Sequence, residues 1–127
     1  MAKDHMLKQL LLVAMGGGLG SMLRYLTSVV TVRFYDDAFP LATFAVNAIG
    51  CFIMGLLTGI PGGITHDARV LFAAGFCGGF TTFSAFAFEN VRLLQNNSHL
   101  IALSYIGLSV LTGLLAVWLG FQAARQI

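Results

Sequence analysis

A chain of 127 residues that is 57% hydrophobic and 9% charged, with a mean hydropathy of +0.85, sits far from the roughly 25% charge of an ordinary soluble domain. Its length accommodates about four membrane-spanning helices and leaves no room for a soluble catalytic module, so one all-α membrane domain over residues 1–127 is predicted. The net charge of +2 is too small, and its seven basic residues too scattered, to argue for a nucleic-acid surface.

The first segment runs from about Met6 to about Thr31. Its basic flank and apolar run look like a signal peptide, but the run continues past the glycines without an A-x-A cleavage signal, so it reads as a retained helix. Gly16 and Gly20 form a small-xxx-small pair that lets a neighbouring helix approach closely. The cluster GGGLG is no nucleotide loop, because no strand precedes it. Arg24 lies inside the run. It either snorkels to the interface or faces the bundle interior or a wet cavity, where a buried positive charge attracts anions.

The connector VRFYDDAF leads to a second segment from about Phe39 to Ile60, with Pro40 suited to its first turn. Asn47 falls near mid-membrane, where a lone amide needs partners: a neighbouring helix, or a passing anion that accepts from its NH2 group. Gly55 and Gly59 add a second close-packing pair. PGGITHDAR, residues 61–69, is the clearest turn, with Asp67 a candidate cap for the third segment.

That third segment, from about Ala68 to about Leu94, holds the stretch around which the chain is organised: GFCGGFTTFSAFAFE, residues 75–89. Gly78 and Gly79 are poor helix formers, and Thr81 and Thr82 can bond backbone groups in competition with the helical ladder. The segment is therefore predicted to be interrupted at GGFTT. Phe83 and Phe86 stand three apart, on one face if helix resumes. Backbone groups freed at membrane depth cannot face lipid, where each would cost several kcal/mol. Freed carbonyls suit a hard cation, while freed N–H groups suit an anion. The edges of aromatic rings and the hydroxyls of Thr82 and Ser84 can also face a small anion.

After the connector Gln95–His99, a fourth segment runs from roughly Leu100 to Phe121. Tyr105, Ser109 and Thr112 make a polar stripe on it, whose hydroxyls either bond their own i−4 carbonyls or line a track. Cys51 and Cys77 lack C-x-x-C spacing and read as small buried hydrophobes. His5, His66 and His99 lie near three different segment ends and read as interfacial. Lys3, Lys8, Arg69 and Arg125 fall on one side of the membrane, against Arg33, Arg92 and the nearer Arg24 on the other. So small a bias is compatible with insertion in both orientations, and two opposed copies can pack as an antiparallel dimer.

GGGLGSMLRY in the first segment, Asn47 in the second and GGFTTFSAF in the third together resemble the Fluc (CrcB) family of fluoride channels. The resemblance covers the whole chain, and the third motif is its specific part. It implies a dual-topology antiparallel homodimer in the bacterial inner membrane, with two fluoride pores and a structural sodium ion. By the family motif, the carbonyls of Gly78 and Thr81 would hold the sodium. Phe83 and Phe86 would meet fluoride by their ring edges, Asn47 would be the pore asparagine, and Arg24 the vestibule charge. Tyr105, Ser109 and Thr112 match the family's pore-lining fourth-helix positions more loosely. Ala85 departs from the pattern, which usually has Thr or Ser there, so a hydroxyl is missing beside the aromatic pair.

Such a pore would need no coupling step: an inside-negative potential drives an anion outward by ~2.3 kcal/mol per 100 mV. The rival reading is a small proton-coupled multidrug-type transporter of similar size. It needs a membrane-embedded carboxylate, for which Glu89 is the candidate. A third reading is an assembly protein whose glycines serve packing alone. An enzyme is the least supported, for want of a carboxylate pair, a Ser/His arrangement or a metal cluster.

Overall fold

The computed structural model describes residues 1–127, Ala2 by its backbone alone. Helix α1 spans Ala2–Phe34 and α2 spans Leu41–Gly59. The third span consists of α3, residues 66–80, and α4, Phe83–Gln95, and the chain closes with α5, His99–Ala124. Four helical spans are long and apolar enough to cross a membrane.

Local chemistry sets the ends. Pro40 stands at the cap position of α2 rather than inside its first turn, where its missing N–H is equally harmless. Gly62 and Gly63 take φ values of 79° and 77° to turn the chain, and the Gly63 N–H donates to Ile60 O at 2.9 Å. Asp67 does not cap the third span. Thr65 does so, its Oγ1 accepting from Ala68 N at 3.3 Å. Asp67 lies in the first turn instead, where a carboxylate suits the helix dipole, and forms an ion pair with Lys8 of α1. Gln9 Nε2 meets His66 Nε2 at 2.9 Å beside it. The start of α1 and the start of α3 are thus tied at one end of the bundle.

The helices pair as α1 with α3 and α2 with α5. Both pairings are backbone-close because glycines strip side chains from the interface. A Cβ on Gly20 would strike the carbonyl oxygen of Phe76, and one on Gly79 that of Gly17. Across the other pair, Gly55 meets Val117 and Gly120 meets Phe52 in the same way. Gly78 and Gly79 are helical, so of the stretch GGFTT, where an interruption is expected, only the two threonines leave the helix. The glycines' intrinsic cost of about 1 kcal/mol each is offset at Gly79 by an approach to α1 that no larger residue permits. Arg69–Cys77 within α3 is wound as π-helix. The non-helical residues are Thr81 (φ −85°, ψ 158°) and Thr82 (φ −151°, ψ 120°), both extended.

Leu93, Ala102 and Tyr105 form a buried cluster between α4 and α5, joined by Phe39, Phe44, Phe86 and Ile101. Long apolar side chains such as Leu19, Leu111 and Trp118 are exposed on the protomer. A surface of this kind belongs against lipid or another apolar face.

Candidate functional site

The two extended threonines are where the backbone changes hands. In an uninterrupted helix each N–H donates to the carbonyl four residues earlier. Here Thr81 N still reaches Cys77 O at 3.0 Å, and the Thr81 hydroxyl donates to the same carbonyl at 2.7 Å. The next donor does not follow. Thr82 N gives its hydrogen to Asn47 Oδ1 at 2.8 Å, and Asn47 Nδ2 returns a bond to Thr82 O at 3.1 Å. Ala85 N, the helical donor for Thr81 O, is turned to Thr82 Oγ1 at 3.2 Å, which caps α4. The carbonyls of Gly78 and Thr81 are thereby deprived of their helical donors.

Gly79 O finds other partners on α1, the Nε of Arg24 at 3.0 Å and the hydroxyl of Ser21 at 3.4 Å. Arg24 is half-buried and turned inward onto the step between α3 and α4. Two neighbouring helices hold the step, α2 through Asn47 and α1 through Arg24.

On the α2 side the step opens into a groove of about 300 Å³ lined by Asn47, Cys51, Thr81, Thr82, Phe83, Phe86, Ser109 and Val110. Six of the candidate site residues singled out in the sequence meet here: Asn47, Thr81, Thr82, Phe83, Phe86 and Ser109. The rings of Phe83 and Phe86 lie 5.8 Å apart, tilted by 40°. Phe83 is 79% exposed in the protomer. Ser84 joins through its hydroxyl, 3.3 Å from that of Thr82. Ser109 Oγ is buried and has no hydrogen-bond partner among the described residues, an arrangement that costs about 1–3 kcal/mol if nothing satisfies it. No carboxylate lines this groove.

Tyr105 stands behind the groove rather than in its wall. Its ring centroid is 5.0 Å from that of Phe86, and its hydroxyl donates to Glu89 Oε2 at 2.8 Å. Thr43 donates to the other oxygen, Oε1, at 2.6 Å. Glu89 is thus a carboxylate held by two hydroxyl donors from α2 and α5, a charge-assisted arrangement. Thr112 lies further along α5 and is not among the groove's lining residues. Cys77 is buried and Cys51 half-buried, both as free thiols.

Sequence reasoning missed Ser21 and Thr43, and it weighed Glu89 only as a proton carrier. Each works through a partner between 46 and 58 residues away, which no local pattern reveals. The polar character of Thr43 inside an apolar run was the available signal.

A family profile described as "CrcB-like protein, Camphor Resistance (CrcB)" matches residues 11–121. A protein of Flavobacterium psychrophilum named fluoride-specific ion channel FluC is 44% identical over 124 residues, covering 95% of this chain and all of the relative. A protein of the same name from Methylobacillus flagellatus is 46% identical over 122 residues, covering 93% and 95% of the two chains. Fluoride-specific ion channel FluC 2 of Rhodococcus jostii is 47% identical over 114 residues, covering 88% and 95%.

Proposed function

This chain belongs to the CrcB-like family, and from that membership and the groove beside Thr82 we propose that it is a multi-pass membrane channel, not an enzyme, that passes fluoride selectively and without coupling. The observation that carries the reading is the groove itself: an amide, hydroxyls and two phenylalanine rings converge there, with one buried hydroxyl unpartnered among the described residues and no carboxylate in the wall. Fluoride is small and strongly hydrated, so a dry path must replace its water with donors. Asn47 offers the Nδ2 hydrogen it does not give to Thr82, and Thr82, Ser84 and Ser109 offer hydroxyls. Phe83 and Phe86 offer the positive edges of their rings. The first-turn N–H groups at the start of α4 add partial positive charge at the groove's edge. Thr112 extends the polar line along α5. Tyr105 supports Phe86 from behind, and Arg24 draws anions toward the step.

The working unit is an antiparallel homodimer of two copies in opposite orientation, with two pores. The near-balanced basic residues and the apolar faces left open on the protomer support it. In a bacterial plasma membrane the potential would drive fluoride outward.

The carbonyls of Gly78 and Thr81 fit a sodium ion, because both have lost their helical donors and carbonyl oxygen is the ligand a hard cation takes. When bound, sodium would balance their partial negative charge where two copies meet. Efflux from liposomes that contain the purified protein and an ionophore to carry counter-charge tests the function. Fluoride release at a channel's rate without chloride release is expected. Equal release of both ions, or fluoride release that requires a proton gradient and disappears in Glu89→Gln, contradicts the reading.

A further inference from the structure

The geometry points to Asn47 as a positioning residue for the carbonyl site as well as a wall of the groove. This inference rests on the sodium reading of Gly78 and Thr81 given above. The amide of Asn47 both accepts from Thr82 N and donates to Thr82 O, which is how a neighbouring strand would treat an extended residue. The Thr82 N–H is also the group that would close onto Gly78 O if the helix continued. One hydrogen cannot serve both acceptors well. So long as Asn47 Oδ1 holds it, the Gly78 carbonyl stays open, and the extended conformation of Thr82 is kept.

A second observation places the same duty on the same face of α2. Gly50, three residues on from Asn47, leaves room for the Thr81 side chain, whose Cγ2 a Cβ at position 50 would strike. Residues three apart share a helix face. One face of α2 therefore sets both extended residues, Thr81 by a gap and Thr82 by an amide. It follows that the groove and the carbonyl site are linked through one side chain. An anion that draws on the Asn47 amide and a cation on the carbonyls each alter the other's affinity, and by the same factor.

The test reads cation binding rather than flux. Thermal unfolding of the detergent-purified dimer is followed as sodium chloride replaces N-methylglucamine chloride, without fluoride. The wild type is expected to gain stability with sodium. Asn47→Ala, which frees Thr82 N–H for Gly78 O, should raise the sodium concentration needed by about tenfold or more, the scale of one exchanged hydrogen bond. Asn47→Asp keeps the acceptor for Thr82 N–H and should bind sodium within about threefold of wild type, although its added charge beside the anion path abolishes fluoride flux. Phe83→Ile should lose flux and keep the sodium response.

Wild-type sodium affinity in Asn47→Ala, or a tenfold loss in Asn47→Asp, would overturn the positioning role. If Asn47→Ala does not assemble, the Asn47→Asp titration decides alone, with amide exchange at Thr82 expected to stay slow in that variant. A wild type with no sodium response at all would sink the carbonyl site itself, a failure separate from that of Asn47.

Discussion

Helices α3 and α4 are consecutive parts of one span, yet they are held by opposite means. α3 lies backbone to backbone on α1, with Gly16, Gly20 and Gly79 at positions where any Cβ would collide with a neighbouring carbonyl. α4 is held by side chains: Leu93 and Phe86 against Ala102 and Tyr105, and Glu89 between Thr43 and Tyr105. The first arrangement fixes a backbone in place and tolerates no added atom. The second leaves whole side chains to be aimed, and its first turn carries Phe83 and Phe86 into the groove. The extended pair Thr81–Thr82 lets one span do both.

The sharpest way to break this contrast is to add bulk to α3. Gly79→Val places a Cβ on the Gly17 carbonyl, and it should cost about 3 kcal/mol or more of stability, since a backbone cannot move aside as a side chain can. Thermal unfolding in detergent, and the fraction of the proposed dimer, would show it. A normally assembling variant would mean that the α1–α3 approach is looser than described.

The next effect falls on α4. Tyr105→Phe removes one of the two donors to Glu89 and should cost about 1.5–3 kcal/mol, as loss of a hydrogen bond to a charged group does. Because the hydroxyl points away from the groove wall, fluoride flux should fall far less than stability. A larger loss of flux than of stability would put the Tyr105 hydroxyl in the path.

Phe83→Ile should do the reverse. Its ring is largely exposed in the protomer, so assembly should persist while fluoride efflux drops by about tenfold, the equivalent of about 1.4 kcal/mol. Phe86→Ile should lose flux similarly and some stability as well, because its ring also packs on Tyr105. Full flux in both variants would remove the ring edges from the mechanism.

The smallest effect belongs to Ala85→Thr. The Ala85 amide is already committed to Thr82 Oγ1 and the residue is not among those lining the groove. The change should move stability by less than about 0.5 kcal/mol and leave efflux nearly constant. A large gain in flux would show that a hydroxyl at this position belongs to the path.

Much of this was legible in the sequence because it is written in short-range patterns. Apolar run lengths gave four spans, and the spacing of Gly16 with Gly20 and of Gly55 with Gly59 marked the two close-packed pairs. The turn at Gly62–Gly63 followed from residue type alone. Intrinsic propensity placed the step within GGFTT but did not say at which residues: contact with α1 keeps Gly79 helical, and only Thr81 and Thr82 are extended. What stayed hidden was long-range. Asn47 could be placed at membrane depth, but nothing nearby in sequence said that both ends of its amide were for Thr82, 35 residues on. The same holds for Thr43 and Glu89, and for the turn of Arg24 toward Gly79 O.

The central claim is that fluoride crosses alone, through a groove without a carboxylate. Its most direct test is the reversal potential in a planar bilayer with a fluoride gradient, measured at equal and at unequal pH. The account predicts currents that reverse at the fluoride equilibrium potential, do not shift with the pH gradient, and vanish when chloride replaces fluoride. A reversal potential that moves with the proton gradient, or a current that chloride sustains, would contradict it.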